Sequence, residues 1–545
     1  INGNWVSKYV LNYTQSQNAG RPLLASVILS GKDSLENITA LPATTFNYQS
    51  DNLGWMPNDA SWDIPAAPNG FEWSLNYMPH QFVDLNGDGL QDLVIIGRET
   101  NNPLGNSPKD FQYLNTGSGW ALTSYWNFPS AQEGYNWNLD SKPPQFADLN
   151  GDGLQDLIMI AHGCFQIESS SFCMYKDQQY LNNGTGWTQA SGWNIPPLPE
   201  GESSWQWHNI FPQFTDLNGD GLTDITLVSY RFISTAVGGV FRDNEYINNG
   251  NGWTKADDSI YFPPPPSGYE WNLRDRPFQF ADINGDGLTD LVIFGRETNN
   301  PPIKDFQYLN TGTGWTQTSL WDFPSNLPEG ETAWQYPDIP PQFTDLNEDG
   351  LIDIVLVASH YQFGHILSYY QYLNTGSGWT QTSLWKFPLL PAGEELWRTP
   401  KIPPQFADFN SDGLTDLALV ASHYYAYNNV YTHYKYVNNG KKQDLLSQIN
   451  YPQGGSTAIN YKASTQYFDD SGNIANKAPY PIFTVSQIQN SDGFGNNVNS
   501  SYKYQGGKYY YNNPFDKQFA GYGLITQTDS AGNVTKTYYH TADES

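Results

Sequence analysis

Six nine-residue stretches carry the chain's most conspicuous chemistry. DLNGDGLQD begins at Asp84 and again at Asp148, DLNGDGLTD at Asp216, DINGDGLTD at Asp282, DLNEDGLID at Asp345 and DFNSDGLTD at Asp408. Each places oxygen-bearing side chains at positions 1, 3, 5 and 9, and a backbone carbonyl at position 7. A hard cation such as Ca²⁺ takes six to eight oxygens of this kind at about 2.3–2.6 Å. The expected ligands in the first two loops are Asp84, Asn86, Asp88, Asp92 and the Leu90 carbonyl, then Asp148, Asn150, Asp152, Asp156 and the Leu154 carbonyl. The next two use Asp216, Asn218, Asp220, Asp224 and Leu222, then Asp282, Asn284, Asp286, Asp290 and Leu288. The last two use Asp345, Asn347, Asp349, Asp353 and Leu351, then Asp408, Asn410, Asp412, Asp416 and Leu414.

Glycine at position 6 of every loop permits the sharp turn. The spacing is that of an EF-hand, but position 12 is apolar in all copies, from Ile95 to Leu419. The bidentate Glu is missing, so a strand–loop–strand site fits better. Up to six structural Ca²⁺ are expected, because three Asp in nine residues repel one another without a cation. The competing reading is an Asx-rich turn whose carboxylates cap backbone amides. Glu348 and Ser411 replace Gly at position 4. Ser411 is expected to be tolerated, and Glu348 to tighten or distort its loop.

The loops recur at spacings of 64, 68, 66, 63 and 63 residues, so the elements that hold them must recur too. An aromatic–polar step such as PQFAD precedes each loop, and an apolar run such as LVIIG follows. A segment ending in a Gly-rich turn comes next, as in FQYLNTGSGW from Phe111 to Trp120. Short β-branched runs bounded by Gly and Asn read as buried strands, and no helical periodicity is sustained. The predicted fold is all-β: a six-bladed β-propeller with calcium-binding blade loops at 46–440, flanked by β-rich segments at 1–45 and 441–545. An open solenoid is the runner-up. Phe46 to Trp55 aligns with Phe111 to Trp120, which suggests that the ring closes by sharing one blade between its two ends.

The chain of 545 residues has 55 Asp+Glu against 26 Lys+Arg, a formal charge of −29. The loop Asp residues account for 18 of those acids, and six Ca²⁺ would return 12 positive charges, leaving about −17. Nucleic acid is excluded as a partner by the scarcity of bases, and no apolar run of about 18 residues could span a membrane. Ile1 opens the chain without a basic–apolar signal segment, as expected of a mature or excised segment. Cys164 and Cys173 read either as a hairpin disulfide in an oxidising compartment or as two free buried thiols.

The 19 Trp fall into phase with the repeat. Six form the Gly-Trp step from Trp55 to Trp379, and Trp62, Trp126, Trp193, Trp321 and Trp385 begin W-x-F/I-P elements, with Tyr261 in the sixth place. Packing between blades is the plain reading, and a ring of sugar-stacking platforms the sharper one. His162, His360, His423, Arg98 and Arg296 lie just past the loops, but residues repeated once per blade read as structural. No nucleophile elbow, His-rich metal signature or phosphate loop is present, so the segment is expected not to be an enzyme. The hairpin tips in HGCFQIESSSFCMYKD and SYRFISTAVGGVFRDN differ between blades and form the expected docking face.

Repeated D-x-N-G-D-G-x-x-D loops followed by YLNTGSGW resemble FG-GAP/VCBS propeller repeats. YVLNYTQSQNAGRPLLASV ahead of the ring, and LLSQINYPQGGSTAINYK with FAGYGLITQTDSAGNVT behind it, are similar to toxin-complex B components and related SpvB-type and Rhs/YD-repeat proteins. That resemblance implies a secreted or cell-surface protein comprising the propeller and parts of a hollow shell. It implies docking to a pore-forming A-type component and gating of the shell. A cell-surface protein is a further candidate partner, and a glycan, as for a lectin-type adhesin, is the alternative.

Overall fold

The apolar runs form the central strands of the blades. A strand covered on both faces needs an unbroken apolar run, and the first six residues of Asp92–Glu99 are accordingly buried. The computed structural model describes residues 7–541 except 17–20, 34–36, 51–53, 58–61, 76–79, 101–107, 138, 140–141, 168–169, 207–209, 235–237, 258–259, 275–277, 299–302, 336–338, 362–364, 398–402, 426–427, 470, 472–473, 477, 479 and 514–515.

Six antiparallel sheets make six blades of one plan. In the second blade, Asn136–Trp137 and Gln145–Ala147 pair with successive stretches of Asp156–Ile167, so they act as one broken strand. Ser170–Asn182 and Trp187–Ala190 complete that sheet. The sixth blade borrows its last strand from the other end of the ring: Trp55, Met56 and Pro57 pair with Asn438, Val437 and Tyr436.

The ring thus closes by a shared blade, with one correction to the alignment that suggested it. Thr44–Tyr48, which contains Phe46, does not enter a blade; it pairs with Leu446–Asn450 and Pro22–Lys32. The place it would take is filled by Asn428–Asn438. Closure brings the two chain ends together, so the flanks form one sheet rather than two. Its order runs Ser7–Gln15, Pro22–Lys32, Thr44–Tyr48, Leu446–Asn450, Ser456–Ala463, Phe483–Ser491, Asn497–Asn513, Asp516–Asp529, Val534–Tyr538, with Ile38–Ala40 beside Pro22–Lys32.

Tryptophans seal the seams between blades. The indole N–H of five of the six Gly-Trp residues donates to the carbonyl of the preceding W-x-F/I-P Trp, as in Trp187 to Trp126 (2.9 Å), Trp253 to Trp193 (3.1 Å) and Trp379 to Trp321 (2.8 Å), while Trp315 donates to the Ile260 carbonyl at 2.8 Å. At the closure, Trp55 donates to the Trp385 carbonyl at 3.1 Å and meets its ring edge-on at 4.9 Å. No Trp among the described residues is exposed, which supports packing over sugar stacking. Trp385 is fully buried at this closure. Trp385→Ala should therefore cost about 3–5 kcal/mol, seen as a lower denaturation midpoint.

The hairpins leave each blade on the side away from the loops. The second blade has the longest pair, of 12 and 13 residues, and the third has 11 and 11. Cys164 is disulfide-bonded and stands opposite Cys173, the chain's other cysteine. The tips at 168–169 and 235–237 lie outside the described residues.

Candidate metal centre

Each nine-residue loop joins the broken first strand of a blade to its second strand, and all six share one hydrogen-bond pattern. The carboxylate at position 1 accepts the position 6 amide, 2.8 Å from Gly89 N to Asp84 Oδ2 in the first loop. Asn at position 3 donates to Asp at position 5, which also accepts the amide of Leu at position 7. Positions 1, 3 and 5 are thereby drawn into one network.

Position 9 is held by a different set of partners. Asp92, Asp156, Asp224, Asp290, Asp353 and Asp416 are all 0% exposed. One oxygen accepts the position 2 amide, and the other accepts, at 2.7 Å, the amide of the Asn ending the third strand. In five of the six cases that Asn side chain in turn donates to the position 2 carbonyl of the preceding blade's loop, as in Asn182 to Leu85 (2.7 Å) and Asn248 to Leu149 (2.7 Å). Asn115 closes the circle on Phe409 at 3.0 Å. The sequence reading missed this role, although Asn115, Asn182, Asn248, Asn310, Asn374 and Asn438 recur in phase with the loops.

Leu at position 7 also packs between loops. A Cβ on Gly87 would fall 2.4 Å from Leu154, and one on Gly285 would fall 2.4 Å from Leu351. The two non-Gly residues at position 4 keep the left-handed conformation, with φ of 59° at Glu348 and 65° at Ser411. Glu348 turns away from its own loop: it accepts the Thr415 amide of the next loop at 2.6 Å and pairs with Lys442 at 3.2 Å. The Ser411 carbonyl accepts the Thr465 hydroxyl at 2.8 Å. Both departures sit where the joined flanking sheet docks.

That sheet covers the loop face unevenly. A Cβ on Gly89 would fall 2.5 Å from the Ala478 carbonyl oxygen, and one on Gly413 would fall 2.8 Å from the Phe483 ring. Gly221 and Gly287, by contrast, face open space. The first, fifth and sixth loops are covered, and the third and fourth are open.

The donor chemistry fits a hard cation: oxygens only, and in the covered loops carboxylates such as Asp84, Asp345 and Asp408 that burial and neighbouring charge disfavour as anions. Burial, with the charge of Asp88, pushes Asp84 up to about 7. Burial also raises Asp156 to about 8, and it holds Asp92 and Asp416 well above the usual carboxylate range with their loop neighbours adding to it. Among the described residues, no three His, Cys, Asp or Glu side chains converge closely enough to hold a metal by themselves. A cation here would draw on Asn and carbonyl oxygens as well.

A cavity of about 420 Å³ beside the first loop is lined mainly by Gln81, Gln91, Gln155 and Gln405 with Asp84, a set without a nucleophile or base pair. His423 faces Glu394 at 3.2 Å, and His162 packs on Tyr175 at 4.9 Å. The His360 side chain lies outside the described residues.

Residues 84–159 and 345–419 match the FG-GAP-like repeat family. The units at these two places in the ring are therefore similar to FG-GAP repeats. Residues 397–544, which include the second half of the flanking sheet, match the middle/N-terminal region of the insecticide toxin TcdB. Among solved structures, the Photorhabdus luminescens Tc holotoxin pore aligns at 20% identity with a TM-score of 0.61, over 98% of this chain and 22% of that one. The TcdB2–TccC3 complex aligns at 19% identity with a TM-score of 0.55, over 98% and 23%. At such identities the likeness is one of fold, for the propeller and flanking sheet together. The chain spans less than a quarter of the length of these structures. Comparison with curated protein sequences gives no match.

Proposed function

We propose that this chain is the propeller-and-shell-wall portion of a secreted, toxin-complex-like protein, and that it works as a non-enzymatic docking and gating module. The observation that carries the reading is the single flanking sheet built from both chain ends. It rests on the loop face of the propeller and leaves the hairpin face free. A rigid ring with one face committed and variable hairpins on the other suits a protein partner. The fold of the Tc structures supports an A-type toxin component in that role. No helix among the described residues is long and apolar enough to cross a membrane.

The six loops are proposed to bind structural Ca²⁺. Positions 1, 3 and 5, with the position 7 carbonyl, would hold the ion, while position 9 anchors the loop to the blade. The ion would supply positive charge to clustered carboxylates, which in the covered loops are otherwise buried and mutually repelling.

The docking reading is tested by pull-down of a cognate A-type component on the immobilised chain. Capture at micromolar concentration is expected, and its absence would count against the reading. The glycan alternative has no supporting observation among the described residues, whose tryptophans are spent on blade packing.

A further inference from the structure

Two equivalent positions recur at the seams between blades, five and three residues before the Asn that ends the third strand. In the first, second and fourth blades these are Asp110 and Gln112, Asp177 and Gln179, Asp305 and Gln307. The Gln amide donates to the Asp at 2.7–2.8 Å, and the same Asp accepts an amide from the segment leading into the next blade: Phe128, Ile195 or Phe323. In the fifth blade the positions are Tyr369 and Gln371, and two further seams carry His–Lys or Asp–Glu pairs in place of the Asp–Gln lock; these two lie opposite each other in the ring.

At the seam between the sixth and first blades, the two positions are His433 and Lys435. His433 meets His80 of the first blade at 4.7 Å between ring centres. All four ring nitrogens are buried and without a hydrogen-bond partner. Lys435, on the same strand face, pairs at 2.9 Å with Asp63, which is largely exposed. Phe82 and Tyr431 complete the surroundings. Tyr434, hydrogen-bonded to Glu394, which also faces His423, belongs to the other face of the strand. Protonating either imidazole would add positive charge beside Lys435, with Asp63 as the facing anion.

At the seam between the third and fourth blades the positions are Asp243 and Glu245. Asp243 still accepts the Phe262 amide at 2.8 Å. Glu245 is fully buried, and neither of its oxygens accepts a hydrogen bond. It is satisfied only as a neutral acid that donates to Asp243. Lys255, which lies over the Tyr261 ring at 5.9 Å, faces this pair from the next strand. Arg242, paired with Glu202 at 3.9 Å, occupies the far face.

We propose that acidification opens the ring at the seam between the sixth and first blades by releasing Trp55–Pro57, while the opposite seam holds as the hinge. The signs of the two titrations agree with this. Burial, with Lys435 adding to it, lowers His80 to about 3, and burial with His80 and Lys435 lowers His433 well below its ordinary value. Above pH 6.5 closed and open states are both neutral at these rings. As pH falls below 6.5, only the open state takes up protons, and opening is favoured. Glu245 is raised well above its ordinary value by burial and then by Asp243. Its seam is therefore strongest in acid and weakens as pH rises above about 4.5. Acid loosens one seam and secures the other.

The inference is independent of the docking reading, and its test needs no partner. Hydrogen exchange of the 545-residue chain in millimolar calcium, corrected for intrinsic rates, is compared at pH 7.5 and 5.0. Each imidazole exposed by opening should raise the opening constant about thirty-fold over that interval. The loss of protection should be confined to Trp55–Pro57 and Asn428–Asn438, and Gly238–Asn248 should keep or gain protection. Unchanged protection at the closing strand, or an equal loss in all six blades, would overturn the proposal. The variant His80→Phe/His433→Phe should abolish the pH effect; a folded variant that kept it would also overturn the proposal.

Discussion

Excess chelator should lower the melting temperature of the chain by roughly 10–20 °C. A ligand bound only to the folded state stabilises by about 2.7 kcal/mol per site at one hundred times its Kd. Six loops acting together would contribute on the order of 16 kcal/mol. Unfolding a ring of this length carries an entropy near ~0.8 kcal/mol/K, which converts that sum into the stated shift. The cause is local: burial and neighbouring charge disfavour the ionised form of residues such as Asp84 and Asp156, and a dication relieves both. Differential scanning calorimetry with calcium, with chelator and with calcium restored measures the effect. An unchanged melting curve would remove exchangeable calcium from the account.

Asp92→Ala should cost about 3–5 kcal/mol, and it should do so with or without calcium. The carboxylate is 0% exposed and accepts two backbone amides, from Leu85 at 2.9 Å and Asn115 at 2.7 Å. Removing it strands two buried donors, each worth about 1–3 kcal/mol. Asp92→Asn keeps one acceptor oxygen and should cost roughly half as much. Asp220→Ala, in an open loop, should by contrast matter mainly when calcium is present. Denaturant midpoints measured with and without chelator separate the two roles. A calcium-dependent loss at Asp92 would mean that position 9 is chiefly a ligand.

The ring was legible because each blade solves the same problem with the same residues. Six Asp-rich loops, six apolar runs and the Gly-Trp steps keep one phase, and each maps onto one loop, one central strand or one seam. The sharing of a blade between the two ends was legible from the extra copy at Phe46 to Trp55, although only its last residue joins the ring. The joined flanking sheet was not legible. Thr44–Tyr48 and Leu446–Asn450 meet only because the ring between them closes, and no local pattern encodes a pairing at that separation.

Within the candidate site, positions 1, 3, 5 and 9 look alike in sequence because all are oxygen-bearing. Structure separates them. Position 9 lies at the start of a fully buried strand, where its partners are backbone amides, whereas positions 1 to 5 lie in the turn. Glu348 and Ser411 looked like imperfect loops, yet each marks a contact with another element: the sixth loop and Lys442 for Glu348, and Thr465 for Ser411. Such contacts have no signature inside a nine-residue motif.

The most direct measurement on the docking module is the exchange footprint of a bound A-type component on the chain. Protection is expected on the hairpin strands, foremost Asp156–Ile167 with Ser170–Asn182 and Asp224–Ser234 with Gly238–Asn248, and not on the open loops at 216–224 and 282–290. Protection centred on those loops, or on the flanking sheet, would contradict a module that seals one face and docks with the other.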